Sequence, residues 1–133
     1  MKQYKIVLAD DHVLVRQGIK RIIQEDSCME VVGEAGDGQE LLDLVEKITP
    51  DLVIMDISMP RLRGLEAASI IKNRYPATRV LILSMHRSKE YLRQALAAGV
   101  DGYLLKEDAD VALFTAIQAI RSGNTFVSPL LEE

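Results

Sequence analysis

Five short runs rich in Val, Ile and Leu recur at near-regular intervals: KIVLAD (5–10), MEVVGEA (29–35), DLVIMD (51–56), RVLILS (79–84) and GYLLK (102–106). Four of them show little polar alternation, which suits parallel strands covered on both faces. The run at 29–35 is more polar, as an edge strand would be. Between the runs the apolar residues take a helical period. Val15, Ile19 and Ile22 form one such stripe, Leu41, Val45 and Ile48 a second, and Leu113, Ile117 and Ile120 a third. Leu92, Ala95, Leu96 and Gly99 make another face. Leu65, Ala68 and Ile71 mark a helix over 65–74 that starts after Pro60 and Gly64. Pro50 and Pro76 stand where helices should stop before the next strand. Five β–α units in 133 residues predict an α/β domain. Its parallel sheet is doubly wound, with right-handed crossovers and helices on both faces.

The length fits one compact domain. No apolar run approaches the ~18 residues of a membrane span. The opening Met-Lys-Gln-Tyr-Lys leads straight into a strand, so no secretory leader is expected. The single Cys28 cannot close an internal disulfide, which favours a reducing compartment and a cytoplasmic location. A net charge of −4 makes the chain as a whole a poor binder of nucleic acid. The helical and strand patterns end after Ile120 in the breaker cluster Arg121-Ser122-Gly123-Asn124-Thr125, and the remaining 126–133 is too short for another domain.

In doubly wound sheets, ligands bind beyond the carboxyl ends of the strands. The residues there are chemically specific. Strand one ends in Asp10-Asp11, strand three in Asp56, strand four in Ser84 and strand five in Lys106. Adjacent carboxylates at the end of a buried strand repel each other and are costly to desolvate unless a cation meets them. Three converging carboxylates suggest a hard divalent cation held through oxygen, for which Mg²⁺ is the first candidate. With the Lys106 ammonium and the Ser84 hydroxyl beside it, such a rim is built to meet a phosphoryl group. Asp56, central on the third strand, is the candidate nucleophile.

Asp10-Asp11, Asp56 followed by Met59-Pro60 and Gly64, then Ser84, then Tyr103 three residues before Lys106, resemble the receiver domain of bacterial two-component response regulators. The resemblance spans 4–121. The stretches DDH (10–12), MDISMPRLRGLEA (55–67) and GYLLK (102–106) are similar to the NarL/LuxR-type subgroup, whose output domain is a helix-turn-helix. The resemblance implies a flavodoxin-like (βα)5 fold with strand order 2-1-3-4-5. It implies a phosphoacceptor signalling domain rather than an enzyme: Asp56 takes a phosphoryl group from the phosphohistidine of a histidine kinase. It also implies that Asp11 ligates Mg²⁺ (or Mn²⁺) directly, with Asp10 beside it or through water. The Asp56 carboxylate and the main-chain carbonyl of Ser58 complete the protein ligands. Lys106 pairs with the phosphoryl group, Ser84 hydrogen-bonds to it, and Tyr103 turns from solvent into the space Ser84 vacates. Residues 1–122 would then be the receiver, and 123–133 the start of a linker toward an output domain that lies outside this chain. A phosphorylation-dependent homodimer, DNA contact only through that output domain, and no membrane contact follow from the same resemblance.

Plainer readings exist for each residue. Asp10-Asp11 could cap the next helix, and Tyr103 could be strand packing. His12 reads as a surface residue at a helix start. His86, two residues past Ser84, could shade the phosphoryl group from water. Cys28 reads as a bystander. Many receivers carry a cis-proline after the lysine, where this chain has Glu107, so no cis-proline is expected and the loop should differ. Rival functions are a stand-alone receiver acting by protein contact and an aspartyl-phosphate hydrolase. The hydrolase needs an acid two residues after the nucleophile, where Ser58 stands. A flavodoxin-like cofactor binder is disfavoured because Asp10-Asp11-His12 would repel a flavin phosphate.

Overall fold

The computed structural model describes residues 3–57 and 64–132. Strands β1 (Tyr4–Ala9), β2 (Met29–Ala35), β3 (Leu52–Asp56), β4 (Arg79–Ser84) and β5 (Gly102–Leu105) alternate with helices. These are α1 (Val13–Gln24), α2 (Gly38–Ile48), α3 (Gly64–Arg74), α4 (Lys89–Ala97) and α5 (Ala109–Arg121). All strand pairs are parallel, in the order β2-β1-β3-β4-β5 with a sixth strand beyond. The α/β parallel fold expected from the sequence is therefore present.

The pleat sends alternate residues to opposite faces. Ile6, Leu8, Leu52, Ile54, Leu81, Leu83 and Leu104 pack with Ile19 and Ile23 of α1 and Leu113, Ile117 and Ile120 of α5. Val7, Ala9, Val53, Met55, Val80, Ile82, Tyr103 and Leu105 pack with α2, α3 and α4 through Leu41, Val45, Ala68, Ile71 and Ala95. Because β1, β3 and β4 lie between two cores, they carry continuous apolar sequence.

The helix starts explain how the loops stay short. Asp37 caps α2 by accepting the Glu40 amide at 2.8 Å, and Ser88 caps α4 by accepting the Tyr91 amide at 3.2 Å. Each cap satisfies an amide that the helix leaves orphaned.

Three details depart from the periodicity. In α1 the fully buried residue is Ile23, while Val15 and Ile22 are only partly buried. Leu96 of α4 is 42% exposed. The third departure is the sixth strand. Gly123, at φ 91°, lets the chain reverse after α5, and β6 (Phe126–Val127) pairs in parallel with Gly102 and Tyr103. A four-residue helix, Pro129–Glu132, follows. The Ser128 amide donates to the Tyr103 carbonyl at 3.0 Å, and the Ser128 hydroxyl accepts the Leu105 amide at 2.9 Å. These bonds satisfy polar groups that the edge of β5 would otherwise leave open. Gly102 permits this close fit: a Cβ there would stand 2.8 Å from both Ile120 Cδ1 and Leu81 Cδ1 and 3.3 Å from the Phe126 carbonyl oxygen.

Candidate functional site

Asp10 leaves the end of β1 with its amide donating to the Ala35 carbonyl of β2 at 3.0 Å. Its side chain is only 3% exposed. Asp56, the last residue of β3, is equally enclosed at 3%. Lys106 reaches across from β5, with Nζ 3.0 Å from Asp10 Oδ2 and 3.3 Å from Asp56 Oδ2. One ammonium thus bridges two buried carboxylates. This is the arrangement that makes like charges tolerable at close range. Burial works against the charged Lys106, but hydrogen bonds and charge from Asp10 and Asp56 outweigh it and raise the ammonium above its ordinary 10.5.

Asp11 points outward and is 36% exposed. His12 Nδ1 lies 3.2 Å from Asp10 Oδ1 and 3.2 Å from Asp11 Oδ1, and the His12 amide donates to Asp10 Oδ1 at 2.8 Å. One donor atom from each of Asp10, Asp11, His12 and Asp56 lies within 4.8 Å of the others. Three carboxylates against a single ammonium leave an excess of negative charge. Asp10 Oδ2 is buried and accepts no well-aligned hydrogen bond, its neighbour being the Lys106 ammonium. Such a mainly carboxylate donor set fits a hard divalent cation. Ser58, expected to add a main-chain carbonyl, and Met59-Pro60 lie outside the described residues.

Ser84 closes β4 fully buried, and its Oγ accepts the His86 amide at 2.9 Å. Tyr103 is buried, not turned to solvent. Its hydroxyl donates to the His86 carbonyl at 3.3 Å and is within hydrogen-bonding reach of Ser84. The Tyr103 ring therefore lies inward in this structure, with Ser84 still bound to the His86 amide. His86 stacks obliquely on Tyr91, with ring centroids 5.0 Å apart. His12, Asp56, Met85, His86 and Lys106 line a cavity of 310 Å³ open to solvent, so the Asp56 carboxylate can be approached from one side.

Burial raises the Tyr103 phenol above its ordinary 10.0, while the Ser84 hydroxyl opposes the shift. Tyr103 and Lys106 both hold their protons more tightly folded than unfolded. Their stabilisation is complete below the unfolded values of 10.0 and 10.5 and is lost as pH rises through the folded ones. Urea midpoints measured at successive pH values above 10.0 should therefore fall. The fall should be shallower in Tyr103→Phe, and equal slopes would refute the contribution of Tyr103.

Neither Arg16 nor the pairing of Arg87 with Glu107 was signalled by the sequence pattern. Arg16, one turn into α1, donates to the Asp10 carbonyl at 2.7 Å and the Ala35 carbonyl at 3.3 Å, and pairs with Glu34 at 3.3 Å. It ties the start of α1 over the ends of β1 and β2. Arg87 and Glu107 form a two-pronged ion pair, both contacts at 2.8 Å. Opposite charges just past the ends of two neighbouring strands were the available clue.

Residues 6–118 match the family described as the response regulator receiver domain. Among curated proteins, the transcriptional regulatory protein DegU of Brevibacillus brevis is 44% identical over 126 residues, 94% of this chain and 53% of that protein. The oxygen regulatory protein NreC of Staphylococcus carnosus is 43% identical over 126 residues, 94% of this chain and 58% of that protein. The chain thus spans little more than half the length of these relatives. A LuxR-family two-component response regulator from Aurantimonas sp. SI85-9A1 superposes with a TM-score of 0.93 at 37% identity, covering 98% of this chain and 94% of that one. The isolated receiver domain of RcsB from Salmonella enterica serovar Typhimurium, solved with the phosphomimetic BeF₃⁻, gives 0.91 at 27% identity, covering 98% and 97%. Fold, rim residues and relatives agree, and the chain belongs to the receiver domains of two-component response regulators, among those of the NarL/LuxR type.

Proposed function

We propose that this chain is a phosphoacceptor switch whose acceptor is Asp56. The observation that carries the reading is the Lys106 ammonium held between Asp10 and Asp56, beside a cavity that opens onto Asp56. An Asp56 carboxylate oxygen attacks the phosphorus of a phosphohistidine on a histidine kinase. A P–O bond forms as the P–N bond breaks, and the imidazole leaves with a proton. Asp10, Asp11, Asp56 and the Ser58 carbonyl would hold Mg²⁺ (or Mn²⁺), which when bound supplies positive charge between the carboxylates and the phosphoryl oxygens. Lys106 exchanges its carboxylate contact for a phosphoryl oxygen, and Ser84 donates its hydroxyl to another once it releases the His86 amide. A hydrogen bond to a charged group contributes about 1.5–3 kcal/mol, enough to shift a two-state population roughly ten- to a hundredfold. Ser84 and Tyr103 together read the phosphoryl group out.

On this reading residues 1–122 are the receiver and 123–133 begin the connection toward a helix-turn-helix output. The phosphorylated form pairs as a homodimer, acts in the cytoplasm without membrane contact, and reaches DNA through the output domain. The relative RcsB supports that picture, since it has been solved as two dimers bound to two parallel DNAs. Among the described residues no helix is long and apolar enough to cross a membrane.

Intact mass after incubation with acetyl phosphate and Mg²⁺ tests the proposal. Wild type should gain about 80 Da, one phosphoryl group, only when Mg²⁺ is present. Asp56→Asn should gain nothing. No gain in wild type would overturn the phosphoacceptor reading.

A further inference from the structure

We propose that Arg87 and Glu107 are positioning residues, a clasp that holds the β4–α4 loop over the phosphoryl pocket. This rests on the phosphoacceptor reading above. The backbone ladder between β4 and β5 ends at the register pair Ser84–Leu105. Beyond it the two chains part: one runs through 85–88 into α4, the other into a single 3-10 turn, Lys106–Asp108. Those segments carry the groups that meet the phosphoryl group, Ser84 with its His86 contact on one side and Lys106 on the other. Side chains alone rejoin them. Arg87 Nε donates to Glu107 Oε1 and Arg87 Nη2 to Glu107 Oε2, each at 2.8 Å.

The planar fork fixes distance and orientation together, which a single lysine contact would not. Glu107 immediately follows Lys106, and Arg87 immediately follows His86, whose backbone is engaged at both its amide and its carbonyl. Locking Glu107 to Arg87 therefore sets the separation between Lys106 and the Ser84–His86 turn. The pairing also holds the Glu107 carboxyl below its ordinary 4.5 through the Arg87 hydrogen bond. Both side chains are about half exposed, 57% and 49%. The clasp is thus open to solvent and salt and can release when the loop moves.

The test compares wild type, Glu107→Gln, Arg87→Gln and the charge-swapped double variant Arg87→Glu/Glu107→Arg. Two readouts are taken: the rate of phosphoryl uptake from acetyl phosphate with Mg²⁺, and amide hydrogen exchange over 85–88. Each single variant should take up phosphoryl about three- to fivefold more slowly and exchange faster over 85–88, as loss of a well-formed surface pair allows. The double variant should return both toward wild type. Added NaCl should slow wild type more than Glu107→Gln. Unchanged uptake rates in the single variants, or a double variant no better than either single one, would overturn the clasp. If wild type takes up no phosphoryl group, the functional reading itself fails. The clasp is then judged on exchange: faster exchange in the single variants and recovery in the swap support it, and unchanged exchange overturns it.

Discussion

Replacing Lys106 with methionine will destabilise the metal-free protein by about 3 kcal/mol at neutral pH, and excess Mg²⁺ will return much of that loss. Methionine is one heavy atom shorter but keeps an unbranched apolar stem, so packing is little changed; what goes is the charge. Asp10 and Asp56 are each 3% exposed, and Lys106 Nζ approaches both. Removing one partner from a buried ionic cluster leaves charge uncompensated, typically at about 3–5 kcal/mol. The lower end applies because the Lys106 side chain is itself 12% exposed, so water reaches the gap. On the proposed function, a divalent cation held by the same carboxylates would restore positive charge there and stabilise the folded state by mass action. Urea unfolding with and without Mg²⁺ measures both effects. Lys106→Arg, which keeps the charge, should lose far less. A methionine variant as stable as wild type without metal would show that the carboxylates are balanced by something other than this ammonium.

Gly64→Ala should lose at least about 2 kcal/mol, within the range for forcing extra atoms into a packed site. A Cβ at Gly64 would stand 2.6 Å from the Asp56 carbonyl oxygen, 2.7 Å from Ile57 Cα and 2.8 Å from the Ile57 carbonyl oxygen. All three are main-chain atoms, so no side chain can swing aside. The strain falls on Asp56, the proposed acceptor, and on that proposal the rate of phosphoryl uptake should fall along with stability. Gly18, in α1, is the control: nothing lies within 4 Å of its would-be Cβ. Gly18→Ala should stabilise by roughly 0.5–1 kcal/mol, the usual helix preference for alanine. Thermal melts of the two variants should move in opposite directions. A Gly64→Ala protein as stable as wild type would mean that the α3 start shifts freely from β3.

Much of this geometry was legible in the chain itself. Apolar runs such as IVLA and LVIM, alternating with helical stripes, read as strands with a core on each side, and each ends in a polar residue at the rim. Asp10, Asp56 and Lys106 thus share one rim on the sequence pattern alone, and in the structure the Lys106 ammonium stands 3.0 Å from Asp10 and 3.3 Å from Asp56. The less legible features depend on tertiary packing. Ile22 and Ile23 are adjacent, and tertiary packing rather than the period decides between them: Ile23 is fully buried and Ile22 only partly. The periodicity of α4 includes Leu96, but the helix is only nine residues long, and Leu96 ends on its open side. Phe126-Val127 is too short to register as a strand; it is one because β5 offers an unpaired edge. Tyr103 could not be assigned in or out from sequence, since its place depends on the β4–α4 loop, whose His86 carbonyl its hydroxyl meets. Arg16 and Arg87 carry no signal in the local pattern; only the strand order sets carbonyls or a carboxylate opposite them.

The sixth strand also governs how two such molecules can meet. A sheet grows by hydrogen bonding wherever an edge lies open. Here β6 occupies the β5 side, and it is itself a poor template: two residues long and followed at once by Ser128 and Pro129. On the far side β2 carries Glu30 and Glu34 and pairs with β1 through an irregular register. Both features discourage a further strand. Neither margin of the sheet favours a neighbour, so strand-to-strand merger of two copies is discouraged. Any pairing is left to the helical faces, where contact can form and dissolve without unpicking the backbone that carries the site.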